Sequence, residues 1–206
     1  MAFIVNRFHF PNRSIYTVNL HGTHIITTVT ATPSIVRKWL STTLYHRRYD
    51  NCFVVGLGVQ WTPHGDPPAE TLQLCIGHRC LIFQLCYTDR VPLKLRRFLM
   101  DPDNTFVGFW NHSDRVKLRG SLHRLEMCKD PVDLRLHVVT EYHENLSRAQ
   151  TRVIVKKCLG YDVERGNDVS KSYWRVGVLS EEQVLYACVD AHCAFLVGRF
   201  CTALGN

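Results

Sequence analysis

A chain of 206 residues with 46% apolar and 11% aromatic side chains is the size of one domain, residues 1 to 206, with a sizeable core, and excludes disorder over most of its length. Its 25 Lys and Arg against 18 Asp and Glu leave a net charge of +7, which suits an anionic partner such as nucleic acid and equally suits a soluble surface. The nine cysteines fall mostly in apolar runs with no C-x-x-C pair, so a disulfide framework and a zinc ribbon or finger are both excluded. They read as core thiols of a reducing compartment. The opening Met1 to Arg7 has neither a charged leader nor a long apolar stretch, and no run of 18 uncharged apolar residues occurs. The expectation is a soluble protein of the cytoplasm, the nucleus or both, with no membrane partner.

In chain order, residues 14 to 20 and 24 to 31 read as a hairpin around His21-Gly22-Thr23, with the segment before it less defined. Pro33 opens a helix whose apolar side carries Ile35, Val36, Trp39, Leu40 and Leu44 and whose other side carries Arg37, Lys38, Arg47 and Arg48. Residues 53 to 61 form a buried strand. Two further apolar runs, 71 to 76 and 80 to 86, turn at Gly77-His78-Arg79 and are expected to pair antiparallel with it at one edge of a sheet. A helix follows from Pro92 to Met100, then a short strand from Thr105 to Trp110. Ser113 is placed to cap a helix running to about Arg119. Ser147 to Cys158 is a helix closed by Gly160, and the long polar segment from Tyr161 to Leu179 reads as a functional flap. Ser180 and Gln183 form a capping box for the last and longest helix. This order predicts a mixed α/β sheet of five or six strands with helices on both faces.

The strand 53 to 61 carries the most information. Alternate residues of a strand project from one face, so Asp-x-Glu at 58 and 60 would aim two carboxylates at one point. The chain has Gly58 and Gln60 there. Later, Asn111-His112-Ser113-Asp114 and Tyr186-x-x-x-Asp190 supply further acids, with Tyr186 and Asp190 on the same side of a helix. Taken together, Val54-Val55-Gly56-Leu57 with Trp61, Val107-Gly108-Phe109 with Asp114 and Leu118, and Leu179-Ser180 through Gln183, Tyr186-Ala187 and Asp190-Ala191 resemble the 3'-5' exonuclease superfamily of four acids and a tyrosine (DEDDy type). The similarity is to the Werner syndrome exonuclease domain and plant relatives such as the RISC-interacting clearing exoribonucleases.

That resemblance implies a ribonuclease H-like fold and metal-dependent hydrolysis of phosphodiesters from a 3' end. Two divalent ions, Mg2+ or Mn2+, would sit about 3.5 to 4 Å apart. Asp114 and Asp190 would be metal ligands, and Tyr186 would orient or deprotonate the attacking water. The first motif is degenerate, because Gly58 has no side chain and Gln60 offers a neutral carbonyl to a hard cation. Metal is therefore expected to bind weakly or not at all.

The expected partner is single-stranded RNA or DNA, with a ring-shaped homo-oligomer, possibly a hexamer, implied by the plant relatives. Trp61 and Trp110 are candidates to stack on bases, while Phe109 suits the core. Arg148, Arg152 and Lys156 would lie along one helix stripe, which suits a solvated face or nucleic acid alike. Lys94, Arg96, Arg97, Arg115, Lys117 and Arg119 are expected to flank the site. His112 and His192 border the retained acids, and Asp66 or Glu70 are candidates to replace a missing one. Three functions follow: a weakened exonuclease, a silent relative that binds ends or regulates an active paralogue, and a scaffold that kept only the fold.

Overall fold

The computed structural model describes residues 1–46, 53–138, 144–163 and 167–204. Three strands come first, β1 (Ala2–Phe10), β2 (Arg13–Leu20) and β3 (Thr23–Thr30), followed by helix α1 (Pro33–His46). Arg47 and Arg48 lie outside the described residues. The centre of the chain is β4 (Phe53–Gln60), β5 (Thr71–Ile76), β6 (Arg79–Gln84), α2 (Leu93–Met100), β7 (Asn104–Gly108) and α3 (Asp114–Arg119). Then come β8 (Val132–Asp133), α4 (Leu134–His137), α5 (Thr151–Leu159), α6 (Asn167–Ser170) and α7 (Glu181–Leu204).

All eight strands form one mixed sheet in the order β1-β2-β3-β6-β5-β4-β7-β8, not the five or six expected. Two were hidden. A bulge between Ile4 and Asn6 breaks the alternation of β1, so its in-and-out pattern reads as noise. With two residues, β8 is too short to leave a pattern. The antiparallel trio β4, β5 and β6 lies in the middle of the sheet and not at its edge, because β3 pairs parallel with the outer side of β6.

Both faces of β4 are buried, which is why it reads as a continuous apolar run. Val55, Leu57 and Val59 pack with Trp39, Leu95 and Phe98 beneath α1 and α2. Val54, Gly56, Gly58 and Gln60 face the other layer, where α7 lies. A Cβ on Gly56 would stand 1.9 Å from the Ala191 carbonyl oxygen and 2.8 Å from the Phe195 nitrogen. On the helix side, a Cβ on Gly198 would meet Val107 at 2.8 Å. These two glycines let the α7 backbone ride on the sheet, and that contact sets where Tyr186 and Asp190 point. By length and composition α7 could cross a membrane, but it is 61% buried against the sheet, as a core helix is.

Local signals account for the helix ends. The backbone N–H of Ser180 donates to Gln183 Oε1 (3.0 Å), and the N–H of Gln183 to Ser180 Oγ (3.1 Å), the reciprocal capping box at the start of α7. Gly160 ends α5 in the left-handed region, φ 72°. Ser113 makes no side-chain cap; the Asp114 N–H is instead held by the Asn111 carbonyl at 3.0 Å. Helix α5 begins at Thr151, so Arg148 precedes it and shares no helical stripe with Arg152.

Candidate functional site

The end of β4, the turn after β7, the start of α5 and the first half of α7 surround a cleft of about 530 Å³. Gly58, Gln60 and Trp61 form one wall, and Tyr186 and Asp190 come from α7. Trp110 and Asp114 enter from the turn after β7. That turn is bent by Trp110 itself, whose φ of 55° lies in the left-handed region, a strain of about 1–3 kcal/mol for a non-glycine residue. The bend leaves Trp110 46% exposed, sends Asn111 inward to donate to the Val132 carbonyl (3.0 Å), and delivers Asp114 to the cleft.

Asp114 is 5% exposed. Burial pushes its carboxyl well above the usual carboxylate range, and the nearby charges of Asp190 and Asp133 push the same way. A carboxyl raised in the folded state favours folding only while protonated, below its unfolded pKa of about 3.9, and loses that contribution as pH climbs through the folded value. Asp114→Asn is therefore expected to stabilise the fold at pH 7.5 by on the order of 1 kcal/mol, with a smaller gain at pH 4. Urea midpoints of the two proteins at both pH values check this; an equal or destabilising effect at both would refute it.

Asp133, which sequence reasoning missed, sits behind this pair. Arg135 grips it through Nε (3.0 and 3.1 Å) and Nη2 (2.5 Å), and Asp133 also caps α4 by accepting the Arg135 N–H. The Arg135 guanidinium, 3.5 Å from the Trp110 ring centroid, backs the indole like a plate. No signal in the chain announces this, because Asp133 belongs to a strand of only two residues. Opposite, the Trp61 ring has Lys117 Nζ 5.1 Å from its centroid.

The segment from Tyr161 to Leu179 closes another side through Ser170 and Lys171. It is pinned by the fully buried Trp174, whose backbone N–H donates to Thr62 Oγ1 (2.9 Å), while the Thr62 hydroxyl donates to Glu70 Oε2 (2.7 Å). Glu70 is thereby used in the frame, and the exposed Asp66 pairs with Lys117 (2.5 Å); neither lines the cleft.

The position of the absent first carboxylate is filled. Gly58 pairs with Gln73 across β4 and β5, and a Cβ on Gly58 would stand 2.7 Å from Gln73 Oε1. Gln73 is fully buried, its Nε2 donates to Thr71 Oγ1 (2.6 Å), and its Oε1 has no hydrogen-bond partner. Gly58 thus has a packing reason that its sequence neighbourhood hides. Among the described residues, no cluster of three or more His, Cys, Asp or Glu is placed to hold a metal ion. Two aspartates beside the neutral Gln60, with no side chain at Gly58, are too few carboxylates to fit a pair of divalent cations.

Of the predicted contacts, Arg152 lines the cleft, whereas Arg115, Lys117 and Arg148 do not. Arg115 pairs with Asp130, Arg119 with Glu126, Lys156 with Asp162 and Lys157 with Glu144. Lys94 donates to Ser41 and Arg96 to the carbonyls of His123 and Arg124, while Arg97 borders a separate hollow beside Leu44. His192 is fully buried away from the acids, its Nδ1 3.4 Å from Cys75 Sγ, and burial depresses its pKa to about 4. His112 is exposed and does not line the cleft either.

A mixed sheet crossed by a long core helix bearing Tyr186 and Asp190, with Asp114 delivered from the turn after a central strand, defines an α/β fold of the ribonuclease H-like nuclease type. The crystal structure of the Aedes aegypti Nibbler EXO domain has the same fold, with TM-score 0.67, 18% identity and 91% of each chain covered. By sequence the chain is similar to the mouse bifunctional 3'-5' exonuclease/ATP-dependent helicase WRN, 25% identical over 162 residues, 74% of this chain and 11% of that protein. It is also similar to exonuclease 3'-5' domain-containing protein 2 of Drosophila melanogaster, 30% identical over 145 residues, 67% of this chain and 23% of that protein. No family model matches. The chain spans less than a quarter of the length of these two relatives. This chain is related to the 3'-5' exonuclease superfamily.

Proposed function

We propose that the protein binds 3' ends of single-stranded nucleic acid in this cleft, with metal bound weakly or not at all and hydrolysis weakened or lost. The observation that carries the reading is the pairing of loss and retention at one place. Gly58 and Gln60 stand where two carboxylates are needed, and a buried neutral amide fills the vacated space. The cleft nevertheless keeps Trp61, the strained and exposed Trp110, and the cations Arg152 and Lys171. An indole held in a costly backbone conformation and backed by a guanidinium is arranged to stack on a base, and cations beside it suit phosphates. The Arg135 plate leaves one face of Trp110 for a ligand.

The test is binding and cleavage of a 5'-labelled single-stranded RNA and a matching DNA, with Mg2+ or Mn2+, beside Asp114→Asn and Asp190→Asn. The expected result is binding that weakens steeply with salt, little or no stepwise 3' shortening, and a loss of about tenfold or more in affinity for Trp110→Ala. Vigorous shortening abolished by both Asp substitutions would overturn the view that catalysis is impaired. Absence of any binding at low salt would leave a scaffold that kept only the fold.

A further inference from the structure

We infer that the N-terminus of α5 is a phosphate subsite of the cleft, formed by the backbone N–H groups of Thr151 and Arg152, the Thr151 hydroxyl and the Arg152 guanidinium. This rests on the single-strand-binding reading above and specifies where a backbone phosphate sits.

Three independent observations meet there. First, the end of the helix is open. The N–H groups of Val153 and Ile154 return to the Gln150 carbonyl (2.9 and 3.3 Å), but the two before them precede any intrahelical acceptor, and Gln150 makes no side-chain cap. Second, the first turn of α5 has no acidic residue, so nothing on the helix itself offsets the positive end of its dipole. Third, Thr151 is 4% exposed and lines the cleft, yet its hydroxyl has no hydrogen-bond partner. An unsatisfied buried hydroxyl is destabilising, and folding alone gives no reason to keep it.

The surrounding charges agree with an anion. Arg152 and Lys171 both line the cleft and neither forms an ion pair among the described residues, unlike Arg115, Lys117, Arg119, Lys156 and Lys157. The helix end, its arginine and this lysine thus form the cationic part of a cleft that also carries Asp114 and Asp190. Helix N-termini with free N–H groups hold phosphate by the same combination of dipole and donors. The contact is to phosphate alone, so it does not separate RNA from DNA.

The decisive substitution is Thr151→Val, which keeps shape, removes a hydroxyl the fold does not use, and is expected to leave thermal stability unchanged or raised. Single-stranded RNA and DNA should each bind it about tenfold more weakly than wild type, and Arg152→Ala should lower the salt dependence of binding. Backbone amide NMR of the full chain, titrated with inorganic phosphate and separately with the RNA, should move Thr151 and Arg152 in both titrations. If RNA binds but Thr151→Val binds it like wild type and those amides stay still, the subsite is wrong while the single-strand reading stands. If phosphate moves those amides and no oligonucleotide binds, the subsite stands and the single-strand reading fails. If neither ligand moves them and nothing binds, both are overturned.

Discussion

Gly58→Asp with Gln60→Glu, introduced together with Gln73→Ala, is expected to give metal-dependent stepwise shortening of single-stranded 3' ends, about a hundredfold or more above wild type. The frame for these acids is in place. Positions 58 and 60 project from the β4 face that looks toward α7, and both line the cleft that holds Asp114, Tyr186 and Asp190. Two added carboxylates bring the acid count to four, enough to offset a pair of divalent cations. Gln73 must change as well, because its Oε1 stands 2.7 Å from the new Cβ and occupies the room an Asp side chain needs. The double variant that retains Gln73 should fold but shorten the substrate more slowly than the triple variant, since the amide must swing aside. The measurement is the rate of loss of full-length labelled RNA with Mn2+ and with chelator. A triple variant that folds, binds Mn2+ by calorimetry and cuts nothing would show that positions 58 and 60 are not what limits this site.

Gly56→Ala is expected to remove most or all of the folding free energy, more than about 4 kcal/mol, against at most about 1 kcal/mol for Gly58→Ala. The two glycines lie on the same face of one strand and differ only in what stands above them. At Gly56 the obstacle is backbone: the Ala191 carbonyl oxygen 1.9 Å away and the Phe195 nitrogen 2.8 Å away, in the middle of a buried helix. To make room, α7 would have to lift off the sheet and uncover the core that includes Ala187, Cys188, Ala194 and Val197. At Gly58 the obstacle is the far end of a side chain, which can turn away. Urea denaturation of both variants decides the matter. Equal losses would mean that α7 is not seated on β4 as described.

Much of the site was legible because its parts are local. The alternation of β4 placed 58 and 60 on one face, the four-residue spacing put Tyr186 and Asp190 on one side of α7, and Ser180 with Gln183 marked where that helix starts. Each is a matter of period or of neighbours within one turn, and each holds in the structure. The surroundings of the cations were not legible, for the complementary reason. Closeness in sequence to Asp114 suggested that Arg115, Lys117 and Arg119 serve the cleft. The fold instead brings Asp130, Asp66 and Glu126 to them.

By itself, the chain determined the class of fold, the order of the motifs and the loss of two acids, since these depend on residue type and short spacing. What only the tertiary structure decided is what occupies the space those acids left, what props up Trp110, and which cations remain for a ligand. Gln73 reaches Gly58 only through the antiparallel register of β4 and β5, and Arg135 reaches Trp110 only because β8 pairs with β7. Thr151 joins them because α5 starts at the same cleft. Pairings of this kind are set by register and layer packing, which bring together residues whose separation along the chain carries no period to read.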